Sequence, residues 1–251
     1  MFFDVGFLGH PVVTGLVILA TIVVVVSLVG VRGWSPARDR TAVPPPPELA
    51  WFRARAYFGA CILVAWLTGA LATVQLRAAF DHPGVTDSAF RWFTLACVLV
   101  ELVAYWIIWP KGTYTLDRPL DLRWQVPFGL LWGICQGLLF LSIQFAASWF
   151  IDSGFWSGAL AFVVIATYQG MWHGLYWDRY VAPEHNDPAW NLPKVLCCHV
   201  PNLAITLAYL TIVGNAVMFV AFQTIALLGS TIFMRFPRVP AKAWTVAGTK
   251  R

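Results

Sequence analysis

The chain has 251 residues, of which 59% are hydrophobic and 12% charged. Soluble domains carry about 25% charged residues, so a mean hydropathy of +0.68 points to lipid as the solvent and excludes a water-soluble enzyme core. The net charge of +5 is then a topology and headgroup signal rather than a nucleic-acid surface.

Along the chain, the N-terminus "MFFDVGFLGHP" carries an acid where a secretory signal carries basic residues, and no A-x-A-like cleavage site follows. The first apolar run, 12–31, is therefore expected to stay as an anchor. Six more follow, at 57–76, 92–109, 126–150, 155–177, 195–213 and 216–234. Each is near the roughly 20 residues that cross a bilayer as helix. They are continuous rather than alternating, which argues for helices over a barrel. The expectation is an all-α polytopic integral membrane protein of seven transmembrane helices, forming one domain over 1–251. The last boundary rests on Gly214-Asn215 read as a tight turn.

Basic residues orient the bundle. Loop 32–55 holds five Lys or Arg, 111–123 three, 179–194 two and the tail from Arg235 five, whereas the other side has only Arg77 and Arg91. The positive-inside rule then predicts the N-terminus outside and the C-terminus cytoplasmic, in a multi-pass protein of the cell membrane. The cytoplasmic loop 32–55 contains "VPPPPELAW", a stiff polyproline spacer. With the basic tail 235–251, it is free to dock a membrane-protein partner or a second copy of the chain. Tryptophans gather at span ends, among them Trp92, Trp109, Trp149 and Trp177, as an aromatic belt. All five cysteines fall inside apolar runs without C-x-x-C spacing, so packing is expected of them.

Glu101 is the sharpest chemical feature. Eleven of the twelve acids lie in loops or at span ends, and Glu101 alone sits mid-span, eight residues or about 12 Å before Trp109. A carboxyl there costs on the order of 2.5–3.5 kcal/mol, so it is neutral, paired or facing a wet cavity. On the fifth run, Gln169, His173, Tyr176 and Tyr180 share a face at helical spacing. On the sixth, His199 and Asn202 flank Pro201, which should kink the helix. Counting residues from the helix ends puts Glu101, His173, His199 and Asn202 at one depth. Gln136 and Gln144, two turns apart on the fourth run, are expected to line the same cavity. Asp178 begins the wet rim "DRYVAPEHND", where Glu184, His185 and Asp187 follow without a known metal-ligand spacing.

The segment "VLVELVAYWIIWP", 98–110, resembles the acid-bearing helix of the small integral-membrane terpene cyclases, with a Glu ahead of aromatics and a closing Pro. The resemblance covers one helix. It implies a second acid on a later helix, for which Asp178 is nearest, and an isoprenoid substrate. The sequence therefore leads to an intramembrane enzyme acting on a lipid or isoprenoid by general acid/base chemistry. Glu101, His173, His199 and Asp178 would be catalytic, and Gln136, Gln144, Gln169, Tyr176, Tyr180 and Asn202 would hold the substrate.

Two readings compete. One is a non-enzymatic subunit, carrier or sensor. The other is a haem or metal protein using His173 and His199, the one pair that fits two-helix ligation. No metal and no other cofactor is expected. Retinal chemistry is excluded because Lys111, Lys194, Lys242 and Lys250 all lie outside the runs, and five histidines cannot fill a membrane di-iron pattern.

Overall fold

A computed structural model describes residues 47–75, 87–111, 119–171 and 188–235, and all regular structure among these is helical. We label the helices α1 (Pro47–Thr68), α2 (Ser88–Lys111), α3 (Leu122–Ser148), α4 (Gly154–Met171), α5 (Leu192–Val213) and α6 (Ala216–Phe233). Four of them, α2, α3, α5 and α6, are long and apolar enough to cross a membrane, and α1 and α4 contain shorter apolar stretches. The expected first span and the tail from Phe236 lie outside the described residues.

Side-chain caps start the helices where the sequence turns polar. Asp87 accepts from Ala89 N at 2.7 Å and opens α2. Asp121 accepts from Arg123 N at 3.1 Å and opens α3. The Arg123 side chain also donates twice to Asp121, at 3.0 and 2.9 Å, and holds that carboxyl below its ordinary value. The Gly214-Asn215 turn has the predicted form: Gly214 adopts φ 66°, and Asn215 Oδ1 caps α6 by accepting from Met218 N at 3.1 Å.

The spine of the bundle is the antiparallel pair α3 and α6. Gly129, Gly133 and Gly137 recur at four-residue intervals along α3. A Cβ at Gly133 would collide with Thr224 Cα, and one at Gly137 would stand 3.0 Å from Val220 Cα. Small residues at this spacing bring backbones together where lipid gives no hydrophobic incentive to associate. α1 leans on α3 through Phe58, Cys61 and Ala65 at i, i+3 and i+7, with Phe58 edge-on to Phe128 at 5.4 Å.

Two long helices carry π turns. In α2 the turn spans Val103–Ile108, and in α5 turns occupy Val195–His199 and Tyr209–Val213. Pro201 lacks the N–H that would bond the carbonyl four residues back, and its ring crowds that carbonyl. The helix meets this with the wider turn at Val195–His199 directly ahead of the proline.

The belt expectation fails at one tryptophan. Trp92 and Trp149 are 70% and 64% exposed, as anchors should be, but Trp109 is only 2% exposed. Its indole packs inside, with the Lys194 ammonium 5.2 Å from the ring and the His199 ring edge-on at 4.9 Å. Aromatic position along a span says nothing about which way the helix turns it. Cys61, Cys97, Cys135 and Cys198 are buried, as packing residues should be, but Cys197 is exposed, because the adjacent pair faces two ways.

Candidate functional site

The π turns of α2 and α5 face each other and are joined twice. Tyr105 Oη donates to Cys198 O at 3.5 Å, and Cys198 Sγ lies 3.1 Å from Ala104 O. One turn further in, Asn202 Nδ2 donates to Glu101 Oε1 at 2.9 Å. Two of the residues placed at one depth by counting therefore meet across helices. Glu101 is 0% exposed, and its second oxygen, Oε2, has no hydrogen-bond partner among the described residues. Its one partner among the described residues is thus a neutral amide.

Beside this pair is an inner chamber of about 40 Å³, walled by α2, α3, α4, α5 and α6. His199, Asn202, Gln136, Gln169 and Tyr105 all reach its wall. Glu101 itself stands one hydrogen bond behind it, through Asn202. Gln136 Nε2 donates to Gln223 Oε1 at 3.0 Å, and Gln223 Nε2 donates to Thr206 Oγ1 at 3.2 Å. These bonds tie α3, α6 and α5 together through polar groups that lipid could not satisfy. The volume suits a few waters or one small functional group; pockets that enclose drug-sized ligands hold about 300–1,000 Å³.

Gln144 does not join this chamber, contrary to expectation. Its Nε2 donates to Leu210 O at 2.6 Å, and its side chain lines a separate cavity near Gly214. Two helical turns separate it from Gln136, about 12 Å along the axis, too far to share so small a space. His173, Tyr176, Asp178 and Tyr180 lie outside the described residues, as do Glu184, His185 and Asp187, so the expected haem pair is described only at His199. Among the described residues no three His, Cys, Asp or Glu side chains gather as a metal set.

Sequence reasoning missed Gln223 and Tyr105. Gln223 was readable as the one amide inside the last run, at the same standing as Gln136. Tyr105 follows Glu101 by four residues and belongs to the same helix face. No family model matches this sequence, and no curated protein or solved structure is similar to it.

Proposed function

We propose that the chain is an intramembrane enzyme that acts on a lipid or isoprenoid by acid/base chemistry, with Glu101 as the group that gives and takes the proton. The observation that carries this reading is the fully buried carboxyl bonded to a neutral amide, with its other oxygen unpaired among the described residues. Leaving a buried polar atom unsatisfied costs about 1–3 kcal/mol.

Asn202 positions the carboxyl. His199 and Gln169 offer polar contacts to a small group entering the chamber, and the chamber admits a reacting end rather than a whole chain. Glu101 stands one hydrogen bond behind the chamber, so the Asn202 amide turns aside as it passes its proton to an alkene or carbonyl there, and the carboxylate recovers a proton from a neighbouring carbon. The balance closes as an isomerisation or cyclisation with no redox partner. Asp178 and His173 are the further acid and base in this reading, and Tyr176 and Tyr180 would contact the substrate. The full topology belongs to the same proposal: seven spans in the cell membrane, the N-terminus outside and the C-terminus cytoplasmic.

The test is deuterium transfer. The full chain, reconstituted in vesicles of a bacterial polar-lipid extract supplemented with polyprenols, is incubated in heavy water and the lipids are read by mass spectrometry. The expected result is deuterium at carbon in one lipid class, lost at least 100-fold in Glu101→Gln while the variant keeps its melting temperature. Labelling that is absent in wild type, or equal in the variant, overturns the enzyme reading and leaves a binding or assembly role.

A further inference from the structure

The hydrogen-bonding groups around the chamber beside Glu101 are unevenly committed. Asn202 Nδ2 donates to Glu101 Oε1 at 2.9 Å, and Gln136 Nε2 donates to Gln223 Oε1 at 3.0 Å. The amide oxygens that remain, Asn202 Oδ1 and Gln136 Oε1, have no partner among the described residues and are open to a water-sized molecule. Ser230, also in the wall, donates its hydroxyl proton to Ala226 O at 3.0 Å. Gln169 differs from these. Its side chain is half-buried and makes no hydrogen bond among the described residues, so it offers both an N–H and an oxygen.

These groups discriminate between ligand chemistries. A ketone, aldehyde or ester has lone pairs only and would face the Asn202, Gln136 and Ser230 oxygens with no proton between them. A carboxylate or phosphate would bring negative charge to the same oxygens. An ammonium would leave the Gln169 N–H unanswered, and it would sit near the Lys194 ammonium, 5.2 Å from the Trp109 ring in the wall. A hydroxyl donates once and still accepts from Gln169. Buried acceptors of this kind call for such a group.

Size and lining favour a lipid alcohol over water alone. Each water-sized position takes about 10–15 Å³, so 40 Å³ has room for about three non-hydrogen atoms. Trp132, Leu203 and Leu227 complete the wall with apolar surface, which suits carbon and gives water nothing to bond. Four of the surrounding helices, α2, α3, α5 and α6, are long and apolar enough to cross a membrane, so the lipid phase surrounds the chamber.

We infer that the chamber takes the hydroxyl end of a lipid alcohol, the oxygen with its first carbons, and that the hydroxyl donates to Asn202 Oδ1 or Gln136 Oε1. This rests on the proposed function in taking the chamber as the place where the reacting end of a lipid enters. Asn202 then touches both parties, Glu101 through Nδ2 and the hydroxyl through Oδ1. The group that receives the proton is an alkene next to the hydroxyl-bearing carbon.

The probe is tritiated geranylgeraniol, bound to the full chain in detergent and counted by scintillation proximity. Saturable binding is expected, displaced by unlabelled geranylgeraniol at least tenfold better than by its methyl ether, the matching aldehyde, acid or amine. The aldehyde matches the alcohol in size and lacks the donor. Gln169→Leu gives up no bond that holds the fold and should weaken binding at least fivefold. Asn202→Ala should do the same and decides the matter if the first variant fails to fold. Absence of saturable binding, which leaves water as the occupant, overturns the inference. Equal displacement by the aldehyde, or undiminished binding in both variants, does so too. Deuterium transfer is read separately: binding without transfer overturns the enzyme and retains the hydroxyl site, whereas transfer without binding retains the enzyme and removes the site.

Discussion

The hydrogen bond between Asn202 and Glu101 is worth little as stability. Interhelical polar bonds in membranes average about 0.6 kcal/mol and reach about 1.7. If Glu101 serves packing alone, Glu101→Gln and Asn202→Ala should both fall within that range, with equal effects on every property. If the carboxyl is the reacting group, stability and turnover separate. We expect Glu101→Gln to shift the detergent unfolding free energy by less than about 1.7 kcal/mol while removing deuterium transfer. Asn202→Ala should retain partial transfer, because it disturbs placement and leaves the acid. A double-mutant cycle on unfolding gives the coupling directly, and a coupling well above that range would make the pair structural. Glu101 was legible because a lone acid inside an apolar run has few explanations. Its partner was legible only as a depth, since residue counting along a helix gives height without rotation.

At the scale of helices, the α3 glycines separate two roles that composition cannot distinguish. Gly133 faces Thr224 backbone with no room for a methyl group, whereas a Cβ at Gly59 on α1 meets nothing within 4 Å. Overpacking a closed contact costs about 1–3 kcal/mol. Relieving an open helical glycine gains up to about 1 kcal/mol. Gly133→Ala should therefore lower the melting temperature and Gly59→Ala should leave it level or raise it, as read by thermal unfolding in detergent. The same sign for both would mean that the α3–α6 approach is not close. The run boundaries at 195–213 and 216–234 were readable in the sequence because Gly214 and Asn215 interrupt otherwise continuous apolar residues. The π turns were not. A π turn adds one residue to a turn without changing hydrophobicity, and only the proline at 201 hinted at irregularity. Gln144 was misplaced for a related reason: recurrence on one face does not say whether two residues a dozen ångströms apart share a cavity.

For the whole molecule, the described helices sort charge by end. Lys111 closes α2, Arg123 opens α3, Lys194 lies in the first turn of α5 and Arg235 follows α6, all at the end near the inner chamber. Arg91, at the start of α2, is at the opposite end, with the 149–153 turn and the cavity at Gly214. Basic residues are retained on the cytoplasmic side because translocating them is unfavourable. On the proposed topology, the chamber with Glu101 is reached from the cytoplasmic leaflet and the cavity at Gly214 from the outer one. Single-cysteine labelling in a background lacking the five native cysteines decides this. Ser153→Cys should react with an impermeant maleimide in intact cells. Lys242→Cys should react only after the membrane is opened. The opposite pattern would invert the protein, place the acid site in the outer leaflet and require its substrate to come from there.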